Sequence, residues 1–326
     1  MIVTKTPLRM SFTGGGSDIS SFYLRHEGVV ISTTIDKYIY ISINKKFDKG
    51  IRISYSLTET PDNINEIKHP LVRNALKLVN IKDSIEIASM ADIPSQGSGL
   101  GSSSSYTVGL INALYAFQSK KINKEELART ASHIEIDLCK NYMGKQDQYA
   151  AAYGGLNIIK FKKDSSVTVE PIKLKAHILK EFTDSLLMCY TGKTRKANQI
   201  LKTVSHNIND LNKFNLVKKM VNLSWDMKNS LESGNLENIG EILNENWYLK
   251  KQIAEGVTSN IVDDMYSRAI KAGALGGKLL GAGGGGFMLF YANKESHNKI
   301  IAELKEFRFV PFHFDEDGAK IILYNN

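Results

Sequence analysis

Pro94-Ser-Gln-Gly-Ser-Gly-Leu-Gly-Ser-Ser-Ser-Ser105, the run PSQGSGLGSSSS, places three glycines and a block of serines directly before a segment with the composition of a helix. Glycines let backbone N–H groups approach an anion closely, and the positive end of a helix dipole favours its negative charge. The run reads as a phosphate grip. Pro94, Gly97, Gly99, Leu100 and Gly101 form its loop, and Ser102, Ser103, Ser104 and Ser105 supply hydroxyls that can add donors or reach a magnesium ion through oxygen. No Gly-Lys-Ser/Thr closes the run, so it is not a Walker A loop, and it lacks the third glycine of a dinucleotide fingerprint. A flexible linker has the same Gly/Ser composition. The strand pattern before the run and the helix pattern after it argue against a linker.

Working outward, Ser103 to Gln118 carries Val108, Ile111, Ala113, Leu114 and Phe117 for a buried helix face. Upstream, alternation in Ile39–Asn44, Ile51–Tyr55 and Ser84–Ala88 predicts strands. Downstream, Asn123 is placed to cap a helix from Lys124 to about Lys140, and another helix is expected over Lys145–Ala152. Helical spacing begins again near Arg195 and continues through Phe214–Leu231 and Leu236–Ala254. The chain then reads as a strand at Phe287–Tyr291, a helix at Glu295–Phe307, and strands at Phe309–Phe314 and Ala319–Tyr324. This is an α+β pattern. A polar stretch at Lys162–Lys180 marks a boundary between units 1–170 and 171–326.

At 326 residues, 42% of them hydrophobic, the chain can bury its cores without staples. Cys139 and Cys189 lie far apart with no CxxC spacing, which suggests neither a disulfide framework nor a zinc site. Both read as buried small hydrophobes. The first thirty residues have no apolar signal core and no apolar run reaches the length of a membrane span, so the expectation is a soluble, cytoplasmic protein. The net charge of +8 is spread along the chain rather than clustered. That argues against nucleic acid as a partner and suits an anionic small molecule.

Two further glycine segments accompany the first. Pro7-Leu-Arg-Met-Ser-Phe-Thr-Gly-Gly-Gly-Ser-Asp18 joins a cation, three glycines and a carboxylate, and Gly281-Ala-Gly-Gly-Gly-Gly286 precedes an apolar strand. Taken alone, each could be a structural turn. Together, in order and spacing, the three resemble the motifs of the GHMP kinase superfamily, named for galactokinase, homoserine kinase, mevalonate kinase and phosphomevalonate kinase. Within it, TPLRMSFTGGGSD looks most like the sugar-1-kinase branch that includes heptose 7-phosphate kinases and fucokinase-like enzymes. Galactokinases carry Gly-Glu-His where this chain has Gly14-Gly15-Gly16.

The resemblance implies a two-domain fold, an N-terminal mixed sheet with helices followed by a ferredoxin-like C-terminal α/β sandwich, with the active site between them. It also implies a kinase that uses ATP and Mg2+ on the anomeric hydroxyl of a sugar phosphate, most simply D-glycero-D-manno-heptose 7-phosphate. An ATP-dependent decarboxylase and a non-catalytic sugar sensor of the same fold are rivals, and a homodimer is open. Phosphoryl transfer needs a cation, a metal and a proton acceptor. By resemblance the acceptor is Asp147 in Gly144-Lys-Gln-Asp-Gln-Tyr149, the metal ligands are Glu135 and Ser103, and the cation is Arg9. An ordinary structural ion pair would also account for Arg9. Asp137 competes with Glu135, but on a helix the two point about 200° apart, so only one can face the loop. Substrate contacts are expected at Gly15, Gly16, Asp18 and Gly284. The cluster Lys193-Thr-Arg195-Lys196 is a candidate for a remote substrate phosphate, with Arg195 its centre, although it reads equally as a solvated helix start.

Overall fold

Two long antiparallel strands carry the fold, β1 (Ile2–Thr13) and β2 (Gly28–Lys45). The first half of β2, Gly28–Ile35, is buried throughout, whereas from Ile39 onward buried and partly exposed residues alternate. The continuous run has cover on both faces and the alternating run on one. The computed structural model describes residues 1–93, 97–193 and 197–325.

The first sheet continues with β3 (Ile51–Ser54), β4 (Thr58–Glu59), β5 (Ile85–Ala91), β6 (Asn157–Phe161) and β7 (Val167–Pro171). β3 and β5 are parallel and the other pairs antiparallel, which makes the sheet mixed as expected. Its helices are α1 (Ser20–Tyr23), α2 (Pro70–Leu78), α3 (Ser102–Phe117), α4 (Lys124–Ser132) and α5 (Gln146–Tyr153). α3 lies on β1 and β2, where the Thr4 hydroxyl donates to the Gly109 carbonyl at 3.0 Å.

After α6 (Ala176–Asp184), a second sheet forms from β8 (Leu186–Tyr190), β9 (Ala274–Leu279), β10 (Phe287–Ala292) and β11 (Arg308–Phe309). Its order, β11-β8-β10-β9 with every pair antiparallel, is that of a ferredoxin-like sandwich. Between β8 and β9 run α7 (Ala197–Asn207), α8 (Leu211–Ser233), α9 (Ile239–Lys251) and α10 (Asn260–Lys271), and α11 (Lys294–Glu303) joins β10 to β11. The last strands, β12 (Phe314–Asp315) and β13 (Lys320–Tyr324), return to the first sheet beside β2 and β1. The sheets therefore do not follow the division at residue 170, because the outer edge of β1 is closed by residues 320–324.

Three expectations need correction. The single strand foreseen over Phe309–Phe314 is split. Val310 donates to Met188 at 2.9 Å in the second sheet, Pro311 has no N–H to continue the ladder, and His313 already bonds to Asp36 beside the first. The helix foreseen to Lys140 leaves α geometry after Ser132 and widens into a π-helical turn, His133–Leu138, with Cys139 N–H bonded to the Ile134 carbonyl. Cys189 is buried, but Cys139 is only partly so. The Asn123 cap is present, accepting from Glu126 N–H at 2.8 Å. Among the described residues no helix is long and apolar enough to cross a membrane.

α9 reaches β9 through glycines. A Cβ on Gly276 would stand 1.9 Å from the Gly240 carbonyl oxygen, an overlap backbone cannot relieve cheaply. Gly276→Ala should lower the unfolding free energy by about 2–3 kcal/mol in urea titrations. Gly15→Ala, where a Cβ meets nothing within 4 Å, should stay within about 0.5 kcal/mol of the parent.

Candidate active site

The phosphate run ends as a left-handed N-cap. Gly101 has φ 73° and no side chain to cap α3, so the first N–H groups of that helix have no partner from the cap residue. This suits an anion better than a closed turn. The run is held from the second sheet. A Cβ on Gly281 would stand 2.5 Å from the Cα of Gly99, and one on Gly99 would stand 2.4 Å from the Leu280 oxygen. Both residues have positive φ, so only glycine fits at either side of this contact.

A cleft of about 900 Å³ opens between the loop, the first glycine segment, α5, α7 and α9. Gly97, Gly99, Gly101, Ser102, Ser103 and Ser104 line it, as do Gly15, Gly16 and Asp18. Leu100 and Ser105 are buried in the scaffold instead. The Leu100 carbonyl accepts from Arg9 N–H at 2.9 Å, and the Ser105 hydroxyl donates to the Pro7 carbonyl at 2.8 Å. Gly284 does not line the cleft. Its N–H bonds to the Val257 carbonyl at 2.9 Å, and Gly281 and Ala282 take the expected position. Pro94 and Arg195 lie outside the described residues.

Arg9 and Asp147 form a forked pair, Nε to Oδ1 at 2.7 Å and Nη2 to Oδ2 at 2.8 Å, while Arg9 Nη1 donates to the Gly99 carbonyl at 2.6 Å. Such a fork fixes both side chains in orientation as well as distance. The pair abuts the phosphate run, since a Cβ on Gly101 would meet Asp147 Oδ2 at 3.3 Å.

Glu135 emerges from the π-helical turn fully buried, while Asp137 is exposed and paired with His133. Only one of the two faces the loop, as their angular separation required. Ser103 Oγ donates to Glu135 Oε1, and Gln148 Nε2 donates to Oε2 at 2.6 Å. Burial pushes the Glu135 carboxyl up to about 7, with the Asp147 charge adding to the rise and the Ser103 and Gln148 hydrogen bonds opposing it. A buried carboxylate beside a hydroxyl at a phosphate loop is a fitting place for magnesium, which takes few protein oxygens when the rest come from nucleotide and water. A bound cation would also stabilise the ionised carboxylate that burial disfavours.

Asp18 is buried, receiving Gly16 N–H on Oδ1 at 3.1 Å and Gln146 N–H on Oδ2 at 3.3 Å. Burial, followed by the Asp147 charge, raises its pKa. Gly144 makes room for it, because a Cβ there would stand 1.8 Å from Asp18 Oδ2.

Lys250 was not foreseen from the sequence. It is buried at the end of α9, lines the cleft and donates from Nζ to the Gly281 carbonyl. One turn earlier, Asn246 Oδ1 accepts Gly14 N–H at 3.2 Å, so α9 holds both the first and the third glycine segments. The signal was present: Asn246 and Lys250 continue the stripe of Ile239, Ile242 and Leu243, polar residues at core positions of a helix. Gln148, equally unforeseen, adjoins Asp147 in sequence and orients Glu135.

Two sheets, the glycine-rich loop that opens α3, the forked Arg9–Asp147 pair and the buried Glu135 stand around this cleft. The chain belongs to the GHMP kinases, its residues 69–155 matching the N-terminal domain of that family and 227–308 the C-terminal domain. It is 32% identical, over 98% of both chains, to the D-glycero-alpha-D-manno-heptose 7-phosphate kinase of Campylobacter jejuni. It is 27% identical to the bifunctional fucokinase/GDP-fucose pyrophosphorylase of Arabidopsis thaliana, over 92% of this chain and 30% of that longer protein. The crystal structure of a D-glycero-D-manno-heptose 1-phosphate kinase from Bacteroides thetaiotaomicron superposes with a TM-score of 0.79, covering 100% of both chains at 27% identity.

Glu135 makes apo-protein stability depend on pH. Between its ordinary value of 4.5 and about 7 the folded state holds a proton that the unfolded state has lost. Stability from this group therefore falls as pH rises across that window, by on the order of 3 kcal/mol. Thermal unfolding without nucleotide should show the fall in the parent protein, and Glu135→Gln should flatten it.

Proposed function

We propose that this chain is an ATP-dependent sugar kinase that phosphorylates the anomeric hydroxyl of D-glycero-D-manno-heptose 7-phosphate to give the 1,7-bisphosphate. The observation that carries the reading is the packing of the Arg9–Asp147 pair against Gly101, the N-cap residue of α3. On this reading, a γ-phosphoryl group seated on the loop would meet the acceptor hydroxyl beside the pair.

The roles follow from the geometry. α3 N–H groups and the loop backbone hold the nucleotide phosphates, and Ser103 with Glu135 would hold magnesium, which neutralises phosphate charge. Asp18 is rigid, with both oxygens on backbone N–H groups, and can still bond sugar hydroxyls across the open backbone of Gly15 and Gly16. The acceptor oxygen bonds to the γ-phosphorus as the bond to the ADP oxygen breaks, and the hydroxyl proton passes to Asp147. No covalent enzyme intermediate is needed. Arg9, which lines the cleft, keeps Asp147 aimed through the fork. Similarity to the Campylobacter jejuni enzyme supports the heptose, and similarity to the Arabidopsis protein makes fucose the sugar to test against it.

Purified protein with ATP, magnesium and heptose 7-phosphate should release ADP and form a 1,7-bisphosphate visible by phosphorus NMR. Turnover of fucose with none of the heptose would overturn the substrate assignment. Asp147→Asn should lower kcat about 100- to 10,000-fold with the KM for ATP little changed. Near-normal turnover would remove it as the proton acceptor.

A further inference from the structure

Buried lysines are rare unless they are paired, and two occur among the described residues, Lys250 and Lys278. Lys278 has a structural explanation. β1 breaks register with β2 between Ser11 and Thr13, and the Phe12 carbonyl at that bulge accepts from Lys278 Nζ at 2.7 Å. Lys278 does not line the cleft. Lys250 does, and its hydrogen bond to Gly281 uses one of three ammonium donors. That partner is a neutral carbonyl, and no ion pair of Lys250 occurs among the described residues.

Arg9, the other cation lining the cleft among the described residues, is committed differently. Three of its N–H groups are taken by Asp147 and Gly99, which fixes its plane. A transferring phosphoryl group spreads charge over three equatorial oxygens and gains from a cation that can follow it. An ammonium on a flexible stem can do so, whereas a clamped guanidinium cannot.

We propose that Lys250 is a further catalytic residue, whose ammonium contacts the phosphoryl group in transit from ATP to the sugar while anchored through Gly281 to the third glycine segment. This rests on the kinase reading of the cleft. Lys250 remains protonated throughout. It donates hydrogen bonds to the equatorial oxygens, and the acceptor proton still goes to Asp147.

The charged groups facing Lys250 are Arg9 from β1, Asp18 from the turn after it, Asp147 from α5 and Lys278 from β9. Burial, helped by Arg9 and opposed by Asp18 and Asp147, lowers the ammonium to about 8. The free protein therefore loses this cation as pH rises through about 8, and a bound phosphate restores it.

The test compares the full chain with Lys250→Met and Lys250→Arg. Kinetics are measured across alkaline pH, and MgATP binding is followed by calorimetry in buffers of different protonation enthalpy. The Met variant should lose about 100-fold in kcat, with the KM for ATP and for sugar phosphate within about threefold. Arg should recover part of that loss, and the alkaline fall in wild-type kcat/KM near pH 8 should be missing from the Met variant. MgATP binding above that pH should take up a proton in the wild type and not in the Met variant. A Met variant with near-normal kcat, a loss confined to KM, or an alkaline limb that persists would overturn the proposal. If the wild type phosphorylates no sugar, the functional reading has failed, and proton uptake then decides Lys250 alone: uptake unchanged in the Met variant overturns it. Lys250→Gln, which keeps a donor for Gly281, takes its place if the Met variant does not fold.

Discussion

The contact of Gly99 with Gly281 is the constraint around which the molecule is arranged. Two loops from two different sheets touch backbone to backbone, a Cβ on either side falling within 2.5 Å of main-chain atoms. Loops that meet this closely leave no side chains between the phosphate run and the second sheet. The amides at the start of α3 therefore remain open to the cleft. α9 reinforces the arrangement by holding Gly14 through Asn246 and Gly281 through Lys250. One helix thus ties the first glycine segment to the third, and the Gly99–Gly281 contact adds the second.

The charged side chains around the cleft are arranged to oppose one another's preferences. Arg9, Asp18, Glu135 and Lys250 are all nearly inaccessible to water, and Asp147 is largely so. Burial alone would neutralise carboxylates and ammonium alike. The Arg9 fork gives Asp147 a partner, backbone N–H groups serve Asp18, and Ser103 with Gln148 serves Glu135. Asp18, Glu135 and Lys250 nonetheless keep displaced proton affinities, and a bound cation would reverse that of Glu135 as a bound phosphate would that of Lys250. The unliganded site thus carries electrostatic strain that its substrates are suited to relieve.

How far the sequence revealed this differs residue by residue. The glycine runs were legible because their composition has few physical uses, and α3 because the segment after the phosphate run has the length and composition of a helix. Asp147 and Glu135 were singled out through family resemblance. Nothing in local chemistry distinguishes Glu135 from Asp137, and what separates them is the π-helical turn, a feature without a side-chain pattern. β9 was invisible because Gly276 and Gly277 carry no strand signal, yet the strand needs Gly276 to admit α9. The break at Pro311 could have been read from its missing N–H. Lys250 was missed because a lysine late in a helix usually satisfies the dipole in water. Its place on the buried stripe was the contrary sign.

The return of β13 to the edge of β1 bears on how the chain is made. Ile2 pairs with Tyr324 and Val3 with Leu323, so β1 gains its outer neighbour only after residues 320–324 have been made. Until then β1 presents an open hydrogen-bonding edge, and the pairing closes a loop of very high sequence separation. Completion of the central sheet is therefore a late, non-local step, slow by its topology and exposed to mispairing with other chains.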